Sequence, residues 1–249
     1  MKDEEMNQPE LVFGKNNVIE LLRSDTPVEK VYLAGDPKNV GNKQIVALCK
    51  NRGVPIIHTD MAALNRKAPA ENHQGVLACC AQKEYATVED ILKIAEEKGE
   101  EPFIIIADEI ADPHNLGAIM RSADAFGAHG IIISKRRAVG LTPAVSKASG
   151  GAMHYVPVAR VANLAQTVDQ LKSRNIWVYG CDMAGEKVYY EQDYKGGVAL
   201  IVGSEEAGIS RLLREKCDFF IRIPMKGKIS CLNASVAASI IMQEVARGR

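Results

Sequence analysis

The chain has 249 residues, 47% of them hydrophobic and 25% charged, with 31 basic residues balanced by 31 acidic ones. This is the profile of an ordinary globular protein long enough to bury a sizeable core, and its zero net charge gives no global sign of a nucleic-acid partner. No apolar run approaches the ~20 residues needed to span a bilayer, and the acidic, polar start MKDEEMNQPE resembles neither a signal nor a transit peptide, so a cytoplasmic address is expected.

Residues 16–22 read as a short helix, 31–33 as a strand, 38–51 as a helix, 54–58 as a strand, 60–66 as a helix and 75–81 as a strand. This alternation makes 1–81 a small α/β module. Thr87 is placed to cap a helix whose first turn is acidic and which ends near Gly99; residues 82–102 are expected to be a linker. Beyond it, strands are expected at 103–107, 130–134, 154–158, 176–180, 198–202 and 219–223. Helices lie between them, one opened by Thr142 and Pro143 as N-cap and first helical residue, and the last covers 234–247. Strands separated by helices imply a parallel sheet covered on both faces, so 103–249 reads as a second, larger domain.

None of the six cysteines (Cys49, Cys79, Cys80, Cys181, Cys217, Cys231) forms a Cys-x-x-Cys pair, and the five histidines show no ligand spacing. Buried reduced thiols are expected rather than a metal site or a disulfide framework. Charge is uneven along the chain. Lys38, Lys43, Lys50, Arg52, Arg66 and Lys67 face one acid, Asp60, and Lys135, Arg136, Arg137 and Lys147 face none between 130 and 147. Such patches suit tracking of phosphates; each reads equally well as a solvated helix face or loop.

A parallel sheet binds ligands at the carboxyl ends of its strands. Three loops there stand out: 108–117, 203–208 and 224–233. None carries Gly-x-Gly-x-x-Gly or a Walker-type glycine loop, which disfavours a dinucleotide fold and an ordinary Rossmann methyltransferase.

Asn115-Leu116-Gly117 with Arg121, Gly203-Ser204-Glu205 with Gly208, and Ile223-Pro224-Met225 with Leu232-Asn233 resemble, in order and spacing, the three motifs of the SpoU/TrmH family. These are RNA 2′-O-ribose methyltransferases of the SPOUT superfamily. Phe13-Gly14-Lys15-Asn16 at a helix start resembles, more loosely, the substrate-binding domain of the subgroup that methylates guanosine in bacterial 23S ribosomal RNA.

The resemblance implies an α/β protein: a parallel-sheet SPOUT domain with a deep C-terminal trefoil knot, preceded by a small α/β RNA-binding domain. It implies S-adenosylmethionine as cofactor and a homodimer whose active site draws on both subunits. By the same carry-over, backbone groups at Gly203, Ser204, Ile223 and Leu232 hold the cofactor, and Ile223, Met225 and Leu232 flank its adenine. Arg121 takes the catalytic role, binding the substrate phosphate and stabilising the developing oxyanion, with Asn115, Glu205 and Asn233 orienting it. The plainer readings are an Arg121–Asp124 ion pair, helix capping by Asn115 and Asn233, and an acid at a helix N-terminus for Glu205. His114 reads as a solvated loop residue. Where the family usually has serine before the Leu-Asn pair this chain has Cys231, with Ser230 beside it.

The substrate expected is ribosomal RNA, read by the first module through its basic residues, with Lys135, Arg136 and Arg137 as further RNA contacts. The alternatives are a transfer-RNA 2′-O-methyltransferase and a non-catalytic RNA-binding protein of ribosome assembly.

Overall fold

The computed structural model describes residues 10–37, 39–69, 72–229 and 231–249, arranged as two compact units. Lys38 and Ser230 lie outside the described residues. The described residues up to Glu84, joined by Gly150–Tyr155, form the first unit; Tyr85–Ser149 and Val156–Arg249 form the second.

In the first unit the order is β1 (Glu10–Phe13), α1 (Lys15–Arg23), β2 (Val28–Ala34), α2 (Val40–Arg52), β3 (Ile56–Thr59), α3 (Met61–Lys67) and β4 (Val76–Cys80). The sheet runs β1-β4-β2-β3; β4 is antiparallel to β1 and β2, and β3 is parallel to β2. All five residues of β4 are buried. Val76, Ala78 and Cys80 join one core with Leu21, Leu22, Ile45 and Cys49 of α1 and α2, whereas Leu77 and Cys79 meet Leu64 of α3 on the other face. The sequence reading missed β1, a four-residue edge strand in which only Val12 is buried.

The second unit contains α4 (Val88–Lys98), β5 (Phe103–Ala107), α5 (Pro113–Ala125), β6 (Gly130–Ser134), α6 (Pro143–Ala148), β7 (Val158–Val161), α7 (Leu164–Lys172), β8 (Ile176–Cys181), β9 (Lys187–Val188), β10 (Gly197–Val202), α8 (Arg211–Arg214), β11 (Phe219–Arg222) and α9 (Ala234–Arg247). Its seven strands pair in the order β7-β6-β5-β10-β8-β11-β9, every pairing parallel. Phe103–Ala107 and Gly197–Val202 are wholly buried, as continuous apolar runs in a covered parallel sheet must be. Each isoleucine or leucine so buried contributes about 1.5–3 kcal/mol.

Two expectations need correction. The segment 82–102 is not simply a linker: Thr87 and Asp90 close a capping box on α4, and Ile91 of that helix is fully buried with Ile104, Ile132 and Ala159. A Cβ on Gly130 would stand 2.6 Å from Ile91 Cγ1, so the glycine lets the helix lie against the sheet. The strand expected at 154–158 is instead a 3-10 turn, Ala152–His154, followed by β7. Pro157 has no N–H for the ladder and stands just ahead of β7, its carbonyl accepting from Ile131 N at 2.9 Å.

In β5, β6 and β7 the chain steps outward to one edge of the sheet, whereas β10 lies on the other side of β5 and the remaining strands continue beyond it. Connections leave β5 and β10 in opposite directions at this boundary, a switch point of the kind that opens a crevice at the carboxyl ends of parallel strands.

Candidate active site

The crevice is built from the backbone outward. After β10, Ser204 and Gly208 pair with each other (Ser204 N to Gly208 O 3.1 Å, Gly208 N to Ser204 O 2.9 Å), and Ser204 Oγ accepts from Ala207 N at 3.2 Å. This closes 203–208 into a tight turn. A Cβ on Gly203 would fall 2.1 Å from the carbonyl carbon of Gly208, so only glycine fits there, and Gly208 itself takes φ +67. Asp108, 3% exposed at the end of β5, accepts from Ser210 N at 2.7 Å and donates its own N–H to Val202 O.

Two helices begin at this end of the sheet. Asp112 caps α5 by accepting from His114 N at 3.0 Å, with Pro113 in the first turn. Asn115 is therefore not the cap; it lies inside α5, buried, because Asp-Pro starts the helix ahead of it. Gly117 follows, where a Cβ would stand 2.5 Å from Ala148 Cβ; α5 and α6 touch through it.

Asn233 caps α9, its Oδ1 accepting from Ser235 N (3.0 Å), Val236 N (3.3 Å) and Ser235 Oγ (2.6 Å). With that oxygen committed to donors, Nδ2 faces acceptors, and it donates to Asn115 Oδ1 at 2.8 Å and to Glu205 Oε1. Asn115, Glu205 and Asn233 thus meet through one carboxamide. Glu205 sits in the 203–208 turn and not at a helix N-terminus.

Gly203, Ser204, Ile223, Met225 and Leu232 all line a single cavity of about 400 Å³ at the carboxyl ends of β8, β10 and β11. Cys231 lines it too. Cys181, the last residue of β8, and Asp182 and Met183 just past it form a wall that the motifs did not point to; the usable signal was the end of a strand next to β10. Asp182 accepts from Ala184 N at 2.8 Å and pairs with Arg214, which holds its carboxyl below the usual carboxylate range, while burial pushes the Cys181 thiol up to about 12.

Arg121 is not in the cavity. It is exposed on α5, one residue before Ser122, whose hydroxyl meets Ser239 Oγ of α9 at 2.6 Å. His114 is exposed in the first turn of α5 rather than in a loop.

The basic residues divide by what they touch. Lys43, Lys50 and Arg66 are exposed; Lys67 Nζ lies 4.7 Å from the Tyr32 ring centroid. Arg52 is engaged structurally, donating to Leu21 O, Ser24 O and Thr26 O at 3.1, 2.8 and 3.0 Å and so closing the end of α1. In the second unit Lys135 and Arg136 are exposed, whereas Arg137 pairs with Glu109 at 2.6 Å. No group of three or more metal-ligating side chains occurs among the described residues, and no helix there is long and apolar enough to cross a membrane.

Residues 102–243 match the model of the SpoU rRNA Methylase family, and 11–86 match that of RNA 2′-O ribose methyltransferase substrate binding. The protein YacO of Bacillus subtilis, whose name places it among TrmH family tRNA/rRNA methyltransferases, is 49% identical over 97% of both chains. The AdoMet-bound rRNA methyltransferase from Sinorhizobium meliloti superposes with a TM-score of 0.77 at 26% identity, over 96% of this chain and 87% of that one. A TrmH/SpoU tRNA modifying enzyme from A. aeolicus matches at a TM-score of 0.54 and 30% identity, over 60% of this chain and 76% of its own. The chain belongs to the SpoU/TrmH family of RNA methyltransferases.

Proposed function

We propose that this protein methylates a ribose 2′-hydroxyl of ribosomal RNA, on a guanosine of 23S rRNA, with S-adenosylmethionine as donor. The observation that carries the cofactor assignment is the cavity: Gly203, Ser204, Ile223, Met225 and Leu232 line one space of about 400 Å³, within the roughly 300–1,000 Å³ range of small-molecule sites. Its apolar side chains suit an adenine and its exposed loop backbone suits the polar ends of the cofactor. When bound, the cofactor supplies an electrophilic methyl group on a sulfonium.

In this reading the protein's own residues hold and orient. Arg121, a permanent cation, grips the substrate phosphate and stabilises negative charge growing on the ribose oxygen. Asn233, locked by five side-chain hydrogen bonds to four residues, fixes Asn115 and Glu205 beside the cofactor. Exposure of Arg121 outside the cavity supports a homodimer in which a second copy completes the site. Tyr190 and Val236, exposed apolar side chains on segments that pack together, support the same assembly. The knot of the C-terminal segment is part of this proposal and rests on family membership.

Ribosomal rather than transfer RNA is supported by coverage: the rRNA enzyme matches 96% of the chain, the tRNA enzyme 60%, less than the second unit alone occupies. The exposed cations Lys43, Lys50, Arg66, Lys67, Lys135 and Arg136 are the RNA contacts proposed. Mapping 2′-O-methyl positions in rRNA and tRNA from cells with and without this gene tests the proposal; loss of a methyl group only from tRNA would replace rRNA with tRNA as substrate. Arg121→Ala should lower transfer by about 10²–10³-fold with cofactor affinity retained, and full turnover would remove Arg121 from its role.

A further inference from the structure

The cofactor cavity carries charge of one sign. Asp182, Glu205 and Glu206 line it, and no lysine, arginine or histidine does among the described residues. Lys226 and Lys228 are exposed in the loop after Met225 and are not part of its wall. Glu205 is held by the neutral carboxamide of Asn233, so its charge is positioned and not cancelled. Asp182 is offset by Arg214, which stands outside the cavity, 4.9 Å from the Phe220 ring centroid. Glu206, exposed in the 203–208 turn, forms no ion pair among the described residues.

The methyl donor and its spent form differ little in shape and by one positive charge, that of the sulfonium. We propose that Glu206 and Asp182 are specificity-determining residues that favour the charged donor over S-adenosylhomocysteine, so that loss of the methyl group itself weakens the hold on the product. The proposal rests on the cofactor assignment above. A carboxylate in such a half-solvated position acts through a screened field, so each should change donor affinity only by about two- to fivefold. The size separates this effect from loss of a buried contact.

Isothermal titration of the full-length protein with S-adenosylmethionine and with S-adenosylhomocysteine, at low and high salt, tests it. Glu206→Gln preserves size; Asp182→Asn preserves the Oδ1 that accepts from Ala184 N. Each variant should weaken the methyl donor by about two- to fivefold while leaving the product within about twofold, with Asp182→Asn the larger because it leaves Arg214 unbalanced. Added salt should narrow the donor-to-product ratio of the wild type. Equal weakening of both ligands, or an unchanged ratio in both variants, would overturn the proposal while sparing the cofactor assignment. Failure of the wild type to bind either ligand would overturn both.

Discussion

Asn233 Nδ2 donates to Asn115 Oδ1 at 2.8 Å, tying the cap of the last helix to the first turns of α5 across 118 residues of chain. The same nitrogen reaches Glu205, and the same side chain's oxygen closes the α9 N-terminus. Asn233→Ala should therefore cost about 1–2 kcal/mol through the lost cap and also release Asn115 and Glu205. Asn233→Asp keeps the capping oxygen but sets a carboxylate against Glu205. Thermal melts should show Asp well tolerated relative to Ala, and transfer assays should show both impaired. Wild-type activity in Asn233→Asp would show that the contact with Glu205 is dispensable.

The two glycines of the 203–208 turn are needed for different reasons. At Gly203 a new Cβ meets Gly208 backbone at 2.1 and 2.3 Å, which a side-chain shift cannot relieve. At Gly208 nothing lies within 4 Å and only the φ of +67 opposes a side chain. Gly208→Ala should cost about 1–2 kcal/mol and largely keep the cavity. Gly203→Ala should cost about 3 kcal/mol or more and abolish cofactor binding because the turn must open. Denaturant unfolding with cofactor titration ranks the two, and equal effects would contradict this division.

Much of the fold was legible because local chemistry and burial agree. The isoleucine run of β5, the Thr87 and Thr142 caps and the small-residue helix α9 all form where their residues predict. The motif residues Gly203, Ser204, Ile223, Met225 and Leu232 also meet in one cavity. What was not legible depends on competition or on tertiary partners. Asp112-Pro113 outcompetes Asn115 as helix start, and Pro157 delays β7. Asp182 has no motif to mark it; only the strand order brings it beside 203–208. Arg52 looked like part of a phosphate-binding run, yet three carbonyls at the end of α1 claim its guanidinium.

That last distinction is measurable. Arg52→Ala removes three hydrogen bonds, to the carbonyls of Leu21, Ser24 and Thr26, and should destabilise the first unit by about 1–2 kcal/mol. Lys43→Ala and Lys50→Ala, at exposed positions, should be near neutral for stability and weaken RNA binding in a salt-dependent way. Filter binding at two salt concentrations beside urea unfolding separates the classes. A stability loss at Lys43 or Lys50, with none at Arg52, would reverse the assignment.

His154 gives the first unit an acid-sensitive point. It is 7% exposed, its Nδ1 lies 3.4 Å from Thr26 Oγ1, and its carbonyl accepts from Lys83 Nζ at 3.0 Å. Burial, assisted by the Lys83 charge, pushes its pKa down to about 4, against about 6.5 in an unfolded chain. Between these values the unfolded state binds more protons, so stability is intact above about pH 6.5 and falls as the pH drops towards 4, by on the order of 2–3 kcal/mol. His129 is also lowered by burial, with partial compensation from Glu100, and acts in the same sense on the second unit. His154→Gln should flatten the pH dependence of first-unit unfolding between pH 7 and 4.5 without altering that of the second, and an unchanged slope would exclude His154 as its source.

Cys231 provides a chemical readout of the cavity. Burial raises the thiol pKa of Cys49 to about 11, and of Cys80, Cys181 and Cys217 to about 12; Cys79 is raised as well. At pH 8 these five hold little thiolate, the reactive form. Cys231 is exposed and lines the cavity proposed for the cofactor. Brief treatment with iodoacetamide should therefore label Cys231 far faster than the others, and S-adenosylmethionine should slow that labelling by covering the thiol. Cys231→Ser should remove the fast-reacting site while keeping cofactor affinity close to wild type, since serine is the residue its relatives are expected to carry there. Peptide mass spectrometry after timed alkylation measures both points. Labelling of Cys231 that is indifferent to saturating cofactor would place the cofactor elsewhere than against this wall.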